Sequence, residues 1–232
     1  MLREAAPRLG FFEPDQFVSV QTHLPEALRP VVEFAYITGW RVPSEVLPLQ
    51  WRSVDLRGGD IRLDAGTTKN GEGRVFPMTD DLRSLLESQR RLADHAERSA
   101  DEIVRWVFFR MVAKGRHGPK HPHPIRAFTK AWAAACTAAG CAGRIPHDLR
   151  RTAVRNMVRR GVPERIAMAL TGHKTRSVFE RYNIVSEGDL RTAAALLQGL
   201  TGTIQGQSKK SAVSRSTKVA NLLRKFGGAA RN

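Results

Sequence analysis

Acidic residues are scarce in this chain. Across 232 residues, 22 Asp and Glu face 38 Lys and Arg, a formal charge of +16 with histidine neutral. That imbalance points to a polyanionic partner. Cysteine is rarer still: Cys136 and Cys141 are the whole supply. Two are too few for a disulfide framework and fit a reducing cytoplasm. No apolar run approaches the roughly 18–20 residues that cross a bilayer. The first ten residues carry charge and a proline but no apolar core of a signal peptide. Internal repeats are absent as well. What is left reads as a soluble, intracellular chain, 41% hydrophobic and long enough to bury a proper core.

Apolar spacing predicts a mixed, mainly α chain with a small antiparallel β-sheet. Leu28, Val31, Val32, Ala35 and Tyr36 recur at helical spacing over residues 25–37, and Gly39 ends that helix. A short helix is expected over 45–49. Short pieces around Val54, Ile61 and Val75, separated by Gly58-Gly59 and Asn70-Gly71, predict the sheet. Helical spacing resumes over 80–97, with Leu82, Leu85, Leu86 and Leu92 on one side. Residues 106–109 read as extended and buried, and 114–124, rich in Gly, Pro and His, as loop. Helices are then predicted over 125–139, over 148–160, from Pro163 through Ile166 and Leu170 to Gly172, and over 187–197. Residues 200–232 hold seven cations and no acid, which leaves a formal +9 upstream. The domain plan is therefore a lead-in at 1–10, one domain at 11–199 and a basic, flexible extension at 200–232.

Five places carry unusual polar residues where elements begin or end. Arg41 follows Thr38-Gly39-Trp40. Lys69 lies in a Thr-Lys-Asn-Gly turn. His147 and Arg150, three apart, project from one face at a helix opening. His173 follows Gly172, and Tyr182 comes nine residues later. Singly, each has a plain structural explanation, such as a carbonyl-capping arginine or a half-buried core tyrosine.

As a set, they resemble the tyrosine recombinase (phage integrase) family. The matching blocks are Thr-Gly-Trp-Arg-Val-Pro-Ser-Glu-Val-Leu-Pro-Leu-Gln-Trp, Thr-Lys-Asn-Gly, Pro-His-Asp-Leu-Arg-Arg-Thr, Leu-Thr-Gly-His and the late Tyr182. The resemblance runs over about residues 14–197, the family's whole catalytic domain. It implies that domain's fold and a site-specific recombinase or integrase of mobile DNA. Such an enzyme cleaves and rejoins strands through a covalent 3′-phosphotyrosine. Arg41 and Arg150 would clamp the scissile phosphate with bidentate donors that a lysine lacks, aided by His173. Tyr182 would be the nucleophile, Lys69 the acid for the 5′-hydroxyl, and His147 would assist proton movement. No metal or other cofactor is implied. The expected partners are double-stranded DNA, a homo-tetramer on paired sites and accessory DNA-bending proteins, with no membrane. Arg151, Arg155, Lys174, Arg176, Lys209 and Lys210 are the cations expected on DNA, and the expected location is a bacterial or phage-type cytoplasm, at the nucleoid.

Two departures stand out. The family often places an acid three positions after the first arginine, where this chain has Ser44; the supporting role falls to Glu45, after an inserted-looking Pro43. Nor is there room for the N-terminal helical domain that normally completes a clamp around DNA. Either this is a catalytic fragment or an enzyme without that arm. Three rival readings remain. Type IB topoisomerase-like relaxation shares the chemistry, and a non-catalytic DNA-binding protein would suit the charge. Zinc held by His117, His121 and His123 lacks a Cys-x-x-Cys pair to support it.

Overall fold

Helix α2 (Arg29–Thr38) is the centre of the fold because its sequence is apolar almost all round: Val31, Val32, Phe34 and Ala35 are buried. Pro30 sits in its first turn, where a missing N–H costs nothing, and Gly39 closes it at φ 67°. The computed structural model describes residues 10–66, 71–113, 115, 118–182, 185 and 187–197. Lys69, His117, Lys209 and Lys210 lie outside the described residues, as does the 200–232 extension.

Before α2 comes a helix that periodicity did not find, α1 (Pro14–His23). Only Phe17 and Val20 are buried along it, too thin a stripe to read. A single tight turn, Glu26–Leu28, then delays the start of the helix expected from residue 25. Strands β1 (Val54–Asp55), β2 (Asp60–Leu63) and β3 (Arg74–Pro77) form the expected antiparallel sheet, with Ile61 opposite both Val54 and Phe76. Ile61 and Phe76 turn one face to the core. Thr79 caps α3 (Asp80–Ala100) by accepting from the Leu82 amide. Its buried seam runs through Leu82, Leu85, Leu86, Gln89, Ala93 and Ala96. Leu92, expected inward, is 53% exposed, because the seam continues on small alanines one position away.

Residues 107 and 108 are buried as expected, but the predicted loop is half a hairpin: β4 (Phe109–Ala113) pairs antiparallel with β5 (Lys120–Pro124). Pro122 and Pro124 concealed the second strand; with two strands, both are edges, and an edge tolerates a missing donor. Helices α4 (Thr129–Ala138), α5 (Asp148–Arg159) and α6 (Glu164–Thr171) follow. On α6 the inward residues are Ala167 and Thr171, whereas Ile166 is half exposed. The short α7 (Arg176–Glu180), not expected, buries Phe179. Aromatic rings knit the core edge to face: Phe34 meets Trp40 and Phe108, and Trp40 meets Phe76.

The stretch before α1 is strapped to α5. The Phe12 amide donates to Oγ1 of Thr152 at 2.9 Å, and the Glu13 carboxylate takes Arg155 at 2.8 Å and Arg159 at 3.2 Å. The Arg155 guanidinium also stacks 3.7 Å from the centre of the Phe11 ring. The chain divides into Met1–Ile184 and Val185–Asn232. The expected helix α8 (Glu187–Leu197) belongs to the second unit, with Arg191 bonded to Glu187 one turn back. No helix among the described residues is long and apolar enough to cross a membrane.

Candidate active site

Arg150 is a buried cation, 1% exposed at the opening of α5. Its Nη1 donates to the Gly39 carbonyl at 2.7 Å and the Thr171 carbonyl at 2.6 Å. Those are the closing carbonyls of α2 and α6, where helix dipoles end negative. A guanidinium held by carbonyls is bonded to no carboxylate, and Glu45 acts on it only as a nearby charge. Its Nε is buried without a hydrogen-bond partner. Burial and the neighbouring Arg41 lower its pKa, yet it remains a cation at neutral pH.

Arg41 follows Gly39 and Trp40, and the chain then makes one wide turn over Val42–Val46. The amides of Val46 and Leu47 reach back five residues, to the carbonyls of Arg41 and Val42. This turn absorbs the inserted residue and returns Glu45 beneath Arg41. Glu45 is fully buried; its Oε2 accepts the Arg41 amide at 2.7 Å and its Oε1 the Arg41 Nη1 at 2.8 Å. Oε1 also takes Arg74 at 2.5 Å. Burial pushes the Glu45 carboxyl upward, but the Arg41 amide and the Arg74 charge outweigh it, so it stays ionised.

His173, just past Gly172, accepts from Nη2 of Arg150 at 3.1 Å on Nε2 and meets Oγ1 of Thr171 at 2.7 Å on Nδ1. Burial, then Arg150 and Arg41, push its pKa down to about 3. His147 precedes α5 and points Nε2 at the Tyr182 hydroxyl, 2.9 Å away. Burial, then Arg151 and Arg150, bring His147 to about 4. Both imidazoles are therefore neutral near pH 7. The Tyr182 ring is half-buried, with its centre 4.7 Å from the His173 ring and within cation–π range of Arg150 and Arg151.

Six expected residues thus converge: Arg41, Glu45, His147, Arg150, His173 and Tyr182. Among the expected DNA-facing cations, Arg151 borders the site and pairs with Asp148 at 2.6 Å. Lys174 and Arg176 are exposed and pair with Glu72, and with Glu164 and Glu180. Arg155 is different. At 2% exposure, taken up by Glu13 and Phe11, it is placed to fasten the N-terminal strap rather than to meet a phosphate. Among the described residues no three His, Cys, Asp or Glu side chains cluster to hold a metal; His121 pairs with Glu102, and both cysteines are free and buried. Sequence reasoning missed Arg74. The signal was available: in β3, Arg74 shares the inward face with Phe76 while Val75 points out.

The fold is that of a tyrosine recombinase catalytic domain. It matches the solved XerA recombinase with a TM-score of 0.62 at 18% identity, over 84% of this chain and 67% of that one. A λ integrase dimer bound to a COC′ core site matches at 0.54 and 19%, over 79% and 51%. The chain belongs to the phage integrase family, whose model matches residues 11–188. It is similar to the integrase of Salmonella phage P22, 25% identical over 201 residues, 84% of this chain and 49% of that protein. The tyrosine recombinase XerC of Chlorobaculum tepidum is 30% identical over 169 residues, 71% and 47%. The chain spans about half the length of these curated relatives.

Proposed function

We propose that this chain breaks and rejoins DNA strands at specific sites through a phosphotyrosine intermediate. The observation that carries the reading is the Tyr182 hydroxyl on the neutral His147, set against the buried, carboxylate-free cation Arg150. In the forward step Tyr182 Oη attacks phosphorus and its proton passes to Nε2 of His147. The 5′-oxygen leaves with the electrons of its bond to phosphorus and takes a proton, for which Lys69 is the candidate donor. Arg41 and the unpaired Nε edge of Arg150 meet the charge that gathers on the non-bridging oxygens. Rejoining reverses each transfer: a 5′-hydroxyl attacks phosphorus, and Tyr182 leaves with the proton held by His147.

Similarity to integrases and Xer recombinases, some solved on DNA, supports double-stranded DNA as substrate and recombination as outcome. A tetramer on paired sites, accessory bending proteins, a nucleoid location and a catalytic domain at 11–199 with a DNA-contacting extension complete the proposal. Lys174 and Arg176 are the described surface cations assigned to phosphate. The test is a suicide DNA substrate that traps the covalent complex. The parent chain should form a gel-stable adduct, with or without a chelator, and Tyr182→Phe should form none while binding DNA unchanged. An adduct on the Phe variant would discard this nucleophile; Tyr36 is the other tyrosine.

A further inference from the structure

One guanidinium in this centre has no part in the scheme above. Arg74 opens β3, and its side chain is 8% exposed. It bridges two acceptors that the proposed phosphate ligands also use. Its Nη2 meets Glu45 Oε1 at 2.5 Å, the oxygen that takes Arg41 at 2.8 Å. Its Nη1 donates at 3.1 Å to the Thr171 carbonyl, which also accepts from Arg150. The guanidinium lies 5.2 Å from the Trp40 ring centre, and it occupies the space where a Cβ on Gly172 would sit.

Arg74 helps to keep Glu45 ionised, but Arg41 already offers that carboxylate two donors, an amide and a guanidinium. Two arginines on one carboxylate leave a net positive charge, and bringing a further cation into the interior costs free energy unless its geometry is used. What Arg74 adds is direction. Arg41 and Glu45 lie on one wide turn and could swing together. Arg74 ties that turn to β3 and to the end of α6.

We propose that Arg74 is a positioning residue for strand cleavage. It braces Glu45 against the Thr171 carbonyl, so that Arg41 is held in the orientation in which it meets the scissile phosphate. The proposal rests on the reading of the site as a DNA-cleaving centre.

The test combines single-turnover cleavage of the suicide substrate, DNA affinity and thermal unfolding for the full chain. Arg74→Gln should cleave about a hundredfold slower, as for a displaced ligand, with DNA affinity within about threefold. Arg74→Lys keeps the charge without the fork and should lose about tenfold. In an Arg41→Ala background, Arg74→Gln should cost less than about threefold more, because a brace has nothing left to hold. An undiminished loss in that background, or parental rates in both Arg74 variants, overturns the proposal. Should Arg74→Gln fail to fold, Arg74→Lys carries the same comparison. If the parent itself forms no adduct, the cleavage reading falls alone. A crystal structure of the Arg74 variant then decides the brace: a displaced Arg41–Glu45 pair supports it, and an unmoved pair overturns it.

Discussion

His147 Nε2 stands 2.9 Å from the Tyr182 hydroxyl, although 35 residues separate them. Burial and three arginines keep that imidazole neutral, so it is ready to accept the phenolic proton. Replacing His147 by Ala should slow cleavage about a hundredfold, the low end for general-base loss. DNA affinity should stay within about threefold. Comparing trapped adduct against filter-bound DNA over time checks both.

Both depressed histidines make folding pH-dependent with a definite sign. Their folded pKa values, about 4 for His147 and about 3 for His173, lie below the ordinary 6.5. Between those limits the unfolded chain binds more protons, so stability rises with pH there and falls on acidification. Each histidine contributes at most about 1.4 kcal/mol per pH unit. Urea unfolding at pH 7 and pH 5 should show the loss, and the assigned His147 and His173 resonances of the native protein should not titrate near 6.5. Native titration of those two residues near 6.5 would refute the buried neutral pair.

Gly172 and Gly140 offer a matched pair. Both have positive φ, 72° and 70°, but a Cβ at Gly140 meets nothing, whereas at Gly172 it overlaps the Arg74 guanidinium. Gly140→Ala should cost about 1 kcal/mol of backbone strain. Gly172→Ala should cost more and slow cleavage as well. Equal melting temperatures for the two variants would contradict the crowding.

Arg155→Ala should unfasten the strap without touching DNA. Losing the charged bonds to Glu13 should lower stability by about 2 kcal/mol, while the salt dependence of DNA binding stays as in the parent. Lys174→Ala should do the reverse, lowering the salt slope by up to about 0.9 at little cost in stability.

The sequence revealed the elements whose large apolar residues repeat cleanly, such as α2 and α5, and the turns marked by glycine. It concealed those whose inward residues are small or few. Ala93 and Ala96 carry the seam of α3 past an outward Leu92, and α1 rests on two buried residues. The site residues were legible because each sits at an element end with an unusual polar side chain. Their partners were not. Thr171 and Gly39 act through backbone carbonyls, which any residue could supply, and Arg74 is drawn inward by a carboxylate 29 positions away. Glu45 came with the wrong spacing for its family, and only the wide turn explains how it still reaches Arg41.

The carbonyls that hold Arg150 also set a timetable for the nascent chain. One belongs to Gly39 and the other to Thr171, and Tyr182 comes later still. A ribosome that has released residues up to 150 has exposed a formal +4 of the chain's +16, and neither the second carbonyl nor the Tyr182 hydroxyl. Products truncated there therefore lack three quarters of the net positive charge as well as the proposed nucleophile. Under the proposed mechanism, the means to break a strand arrives only with Tyr182, late in the chain.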